Sequence, residues 1–212
     1  MEPGADAAPI RALGGLLALA SLGLLACALA HPVLPLTPDG DLTLIAATAA
    51  WSPIHLGLLF STGGIIAGIW ALVPAAPPEH RLVAVAAAAL VSLGLALNGV
   101  NIAFMLGAAP EYARLYAAGM REVAVSYQAA HLAVVMAGRL GATLVSFGAA
   151  LWAWQAARRA EEPRWIGGLA ALAAAGGMLG AVAAPPGHPL MLAGVGLLAV
   201  WGVAMGWRVA KG

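Results

Sequence analysis

The sequence predicts an all-α integral membrane protein, a bundle of six transmembrane helices forming a single domain over residues 1–212. Three observations predict it. Of the 212 residues 62% are hydrophobic and only 9% are charged, with a mean hydropathy of +0.92. No soluble domain of this length has a core large enough to hide that much apolar surface. Second, charges, prolines and tryptophans cut the chain into six apolar stretches, each long enough for a hydrocarbon core of about 30 Å at 1.5 Å per residue. Third, Trp51 and Trp70 are separated by about 28 Å of helix and match the two interfacial belts where tryptophan concentrates.

Taken in order, the first stretch is 12–30, preceded by Arg11. It has a second reading as a signal peptide, with Ala28-Leu29-Ala30 before His31 as the cleavage site and Leu24-Leu25-Ala26-Cys27 loosely like a lipoprotein box. The run is longer than the usual apolar region of a signal peptide, which favours an uncleaved helix. Next, 31–50 reads as a loop carrying a surface helix from Asp41 onward. The second and third spans are 52–73 and 82–106, parted by the proline-rich turn that holds His80. In 107–122, Tyr112, Leu115 and Tyr116 alternate with Glu111, Arg114, Arg121 and Glu122, the pattern of a short amphipathic helix on a membrane surface. The fourth span is 123–155, the fifth 165–184 and the sixth 188–207. Trp152, Trp154, Trp165 and Trp207 mark one common end of these three.

Lys and Arg placement sets the orientation. Arg11, Arg81, Arg158, Arg159, Arg164, Arg208 and Lys211 fall on one side, and only Arg114 and Arg121 on the other. Both termini are therefore expected in the cytoplasm. The general make-up is similar to that of six-helix proteins of high-GC bacteria, so the expected location is the bacterial inner membrane. A parallel helical-hairpin repeat is one reading of the first and fifth segments, and chance matching in a chain dominated by Ala, Leu and Gly is the other. Residues 11–20 align without gaps with 164–173, and each segment is followed by a His-Pro pair, His31-Pro32 and His188-Pro189. Gly64-xxx-Gly68, Gly176-xxx-Gly180 and Gly202-xxx-Gly206 place small residues one turn apart, where helix backbones approach closely.

Composition excludes several functions. A net charge of +1 from ten scattered cations provides no basic face for a nucleic acid. The single cysteine, Cys27, rules out an internal disulfide, a cysteine-ligated iron–sulfur cluster and a CxxC redox pair. There is no HExxH, Walker loop, GxSxG elbow or carboxylate pair within a helix, so the reading leans away from an enzyme.

What remains is a polar layer. His55 lies about 6 Å below Trp51, Asn98 and Asn101 close the third span, His131 opens the fourth and Arg139 lies about 10 Å deeper. Arg139, Thr143 and Ser146 share one helix face, and Gln128 lies near its start. Ionisable residues inside a span face protein or ligand, because a bare charge in lipid costs about 2.5–3.5 kcal/mol or more. His55, Asn98, Asn101, His131 and Arg139 fall in the outer half of the bilayer, as do His31 and His188. The candidate cofactor-binding residues are His55, His131 and Arg139, with Asn98, Asn101, Gln128 and Thr62 lining the pocket. His55, His131, His31 and His188 are the candidate metal ligands, although His31 and His188, each beside a proline, also read as plain turn residues.

Three functions are compatible. The leading one is a membrane subunit or binding protein that ligates haem b through His55 and His131, with Arg139 on a propionate, or a transition metal for electron transfer. The second is a metal, small-solute or proton-coupled transporter, for which Ser61-Thr62-Gly63-Gly64 is the mid-membrane stretch best able to unwind. Asp39, Asp41, Glu111 or Glu122 would assist the histidines there. The third is a structural subunit of a larger membrane complex, or a homo-oligomer, whose polar layer binds lipid or a quinone.

Overall fold

The computed structural model describes residues 7–35, 37–158, 163–182 and 189–211. Among them every regular element is helical: α1 (Ala7–Ala30), α2 (Pro38–Ala47), α3 (Trp51–Ile69), α4 (Arg81–Leu106), α5 (Ala108–Ala117), α6 (Val123–Ala157), α7 (Arg164–Val182) and α8 (Pro189–Lys211). Six of these helices are long and apolar enough to cross a membrane. Many large apolar side chains point outward from them, Leu19, Phe60, Leu82 and Val125 among the most exposed. A water-soluble surface does not tolerate such a display over most of its area.

The helices run past the expected edges. α1 begins at Ala7, not at residue 12, and Arg11 is exposed within it. α8 continues beyond Trp207 to Lys211, so that Arg208 and Lys211 occupy its last turn, where cations complement the helix dipole. In both cases the charge ends the apolar run but leaves the backbone hydrogen bonding intact. α3 stops at Ile69 and tightens into a 3-10 turn over Trp70–Leu72, because Pro74 cannot continue a helix. At 35 residues, α6 is about 52 Å long and outreaches a 30 Å core.

The six long helices close into a ring in chain order: α1 packs on α3, α3 on α4, α4 on α6, α6 on α7, α7 on α8, and α8 back on α1. Glycine permits the closest of these approaches. A Cβ on Gly94 of α4 would strike the Gly141 carbonyl of α6, and one on Gly206 of α8 would lie 2.5 Å from both Ala18 N and Gly14 O of α1. All three glycine pairs flagged in the sequence contribute to contacts within the chain, with Gly68 against Leu17, Gly202 against Ser21 and Gly176 against Gly194. The middle of the ring and its Trp152 end are filled by Leu17, Ile65, Ile69, Val91, Trp152 and Trp201.

The two short helices cap the other end of the ring. Thr37 starts α2, its hydroxyl accepting from Gly40 N at 3.2 Å, and Asp39 and Asp41 lie in the first turn, where negative charge is favoured. α5 follows α4 directly and turns into α6 through Gly119, whose φ of +97° lies in the region that glycine enters without steric penalty. α2 and α5 pack on each other and on the ends of α4 and α6. Their buried face, Leu42, Ile45, Ala109, Ala113 and Tyr116, forms a second apolar cluster with Trp51, Met105 and Tyr127.

Candidate functional site

Under this cap two groups of polar side chains meet aromatic rings. The first joins the end of α1 to the start of α3. His31 Nε2 faces His55 Nε2 at 3.2 Å. The other ring nitrogens face backbone carbonyls, His31 Nδ1 that of Pro32 at 2.7 Å and His55 Nδ1 that of Trp51 at 2.8 Å. A carbonyl only accepts, so each Nδ1 is assigned a proton; two neutral rings would then turn Nε2 lone pairs toward each other, whereas one protonated ring would donate its Nε2–H to the other. Between two neutral rings the opposed lone pairs would repel, and either a shared proton or a metal cation relieves that repulsion. His55 is 2% exposed. At His31, which lies beyond the last residue of α1, burial holds the pKa below its ordinary value and the Pro32 carbonyl offsets this in part.

Trp51 is the wall of this group. Its ring lies 4.4 Å from that of His55 and 5.5 Å from that of His31, centroid to centroid. Its indole N–H donates to the Met105 carbonyl at 2.6 Å. Trp51 also lines a cleft of about 410 Å³ between α2 and α5, together with Ile45, Thr48, Pro110, Ala113 and Arg114. Arg114 is paired there with Glu111 at 2.6 Å.

The second group joins α2 to α6. Asp41, 4% exposed, turns Oδ2 toward the Tyr127 hydroxyl at 3.5 Å and His131 Nδ1 at 3.7 Å. Tyr127 and His131 are one turn apart on α6, with ring centroids 5.1 Å apart. Phe104 of α4 lies nearly parallel to His131, at 9° and 6.2 Å. At 3.7 Å the imidazole and carboxylate are beyond hydrogen-bond contact, so the pair is electrostatic and depends on a protonated ring.

The structure therefore pairs His55 with His31, and His131 with Asp41, while α4 stands between α3 and α6 in the ring. Asn98 and Asn101 meet α6 at Gly138, where their side chains lie 3.5 and 3.8 Å from the position of a Cβ. The next residue, Arg139, is half-buried, and its carbonyl accepts from the Thr143 hydroxyl at 2.9 Å. Thr62 is 3% exposed and its Oγ1 makes no hydrogen bond among the described residues. Gln128 is exposed on α6 and does not face the ring interior. His188 lies outside the described residues. Asp41 and Tyr127 are the residues that sequence reasoning undervalued. Their signals were an acid one turn before Ile45 on the apolar face of α2, and a tyrosine one turn before His131.

No protein-family model matches the chain, and no curated protein or solved structure matches it. The fold and the site define its class as a helical, apolar, membrane-type protein with a histidine pair at one end.

Proposed function

We propose that this chain is an integral membrane binding protein, not an enzyme, that holds a transition-metal ion between His31 and His55. Both termini would lie in the cytoplasm of a bacterium and the histidine pair at the outer side of its inner membrane. The observation that carries the reading is the pair of Nε2 atoms facing each other at 3.2 Å with both Nδ1 atoms on carbonyls. Metal-ligating histidines characteristically donate the second ring N–H in this way, which fixes the tautomer and aims the free lone pair.

Haem b between His55 and His131 ranks below this. It requires His55 to leave His31, His131 to leave Asp41, and α4 to admit the ligand between their helices. Transport ranks lower as well, because the ring beyond the polar layer is filled with apolar side chains, and a carrier needs access from both faces. The parallel repeat of α1 and α7 rests on the alignment of 11–20 with 164–173.

Detergent-purified full-length protein, expressed with haem and metals supplied, tests the reading. The expected product is colourless, carries a transition metal by elemental analysis, loses it in His31→Ala or His55→Ala and keeps it in His131→Ala. A Soret band lost in both His55→Ala and His131→Ala would replace this reading with the haem one. Labelling engineered sites in 107–122 and 156–163 tests the orientation. Modification of the second site from outside, and not the first, would reverse it.

A further inference from the structure

We infer that the docking of α2 on α6 is latched by one proton held between Asp41 and His131, so that the cap tightens as pH falls and loosens as it rises. This latch belongs to the second polar group and does not depend on a metal at His31 and His55. Docking brings an acid from a short surface helix against a base on a long one. Asp41 is 4% exposed, and its Oδ2 lies 3.7 Å from His131 Nδ1. Phe104 of α4 and Tyr127 of α6 flank the imidazole, and neither belongs to the cap. The dipole at the start of α2 favours the carboxylate whether the helix is docked or not. What docking adds is therefore the meeting of carboxylate and ring. With one proton on the pair, the two close toward the about 2.7–2.9 Å of a charge-assisted hydrogen bond. Without it a buried carboxylate faces a neutral ring, and that tie is lost. A proton that strengthens docking is in return taken up on docking.

The surrounding elements carry other ionisable groups. Asp39 of α2 and Glu122, just before α6, are exposed. On α5, Glu111 and Arg114 bond to each other, Tyr112 stacks edge-on against Tyr127, and Arg121 lies 4.1 Å over the Tyr116 ring. His55 of α3 faces His31. Phenols keep their protons through the range in which imidazoles titrate, so the Tyr127 hydroxyl faces Asp41 in both states. The pH dependence of docking is left to Asp41 and His131.

α2 also forms one side of the cleft against Trp51, through Ile45 and Ala46. Loosening it opens the way from the surface to that ring, which contacts both His31 and His55. Such undocking is local and leaves the long helices folded.

Hydrogen exchange of the full-length protein in detergent reads the latch, with a chelator present so that metal at the histidine pair does not enter. Protection over 38–47 is compared at about pH 5 and about pH 8, the bounds of the histidine range, after correction for the intrinsic effect of pH on exchange. An opposite charge within about 4–6 Å changes a protonation equilibrium by about tenfold or more. Protection of α2 should therefore be about tenfold higher at the acid end, while that of α7, on which the cap does not pack, should not rise. Asp41→Asn and His131→Gln, which nearly preserve side-chain size, should abolish the difference. Protection of α2 that is equal at the two pH values, or higher at the alkaline one, would overturn the latch. So would an equal rise in α7, or a difference that survives in either variant.

Discussion

The indole N–H of Trp51 donates to the carbonyl of Met105 at 2.6 Å, tying the first residue of α3 to the last turn of α4. That carbonyl belongs to the turn whose oxygens lack partners within their own helix. The bond satisfies it and holds the ring that contacts both His31 and His55. Trp51→Phe keeps most of the packing and removes the donor. A buried acceptor left without a partner costs about 1–3 kcal/mol, so thermal unfolding in detergent should occur at a lower temperature. An unchanged transition would mean that the bond contributes nothing.

The close contact between α4 and α6 gives a sharper contrast. A Cβ on Gly94 would collide with backbone of α6, whereas Gly63 and Gly99 have nothing within 4 Å of theirs. Gly94→Ala should separate the helices and markedly lower folded yield. Gly63→Ala and Gly99→Ala should be neutral or mildly stabilising, since alanine is favoured over glycine within a helix by about 1 kcal/mol. Equal behaviour of the three variants would contradict this packing.

Asp41 anchors α2 over the end of the ring through the group it forms with Tyr127 and His131. Asp41→Ala should loosen α2, raising hydrogen exchange over 38–47, with a stability loss of about 1–3 kcal/mol. Metal binding at His31 and His55 should persist. Loss of the metal together with an undisturbed α2 would assign Asp41 to the ion instead.

The pH dependence of the metal-free protein follows from His31. Its folded pKa is lowered by burial, so the unfolded chain binds the proton more readily. Stability is then fully present above the unfolded pKa of about 6.5 and is lost as pH falls from there toward the lower folded value. Melting temperatures measured from pH 8 to pH 5 should fall in the lower half of that range, and less steeply in His31→Gln. A wild-type profile that rises toward acid pH would contradict the sign.

The extent of the six long helices was legible in the sequence, and their lateral neighbours were not. A fixed rise per residue placed His55 and His131 in one layer and located six spans to within a few residues. Which helix faces which depends on packing around the ring, set by contacts such as Gly94 on Gly141 and Gly206 on Ala18, and a glycine-rich sequence offers many equivalent matches. His31 read equally as a turn residue because its partner lies on another helix. From sequence Asp41 reads only as an auxiliary acid, since its burial follows from α2 docking on α5 and α6, which α2's own sequence does not specify. Gln128 shared a helix with His131 but not its face.

The most direct test of the central claim is a double-mutant cycle of Zn²⁺ affinity on His31 and His55, measured by calorimetry on the full-length protein in detergent. Two ligands of one ion act as a unit, so the effects of removing them are not additive. The account predicts that His31→Ala and His55→Ala each abolish most of the binding and that the double variant loses little more. Single variants that leave Zn²⁺ affinity unchanged, or losses that simply add, would contradict a shared ion between these two rings.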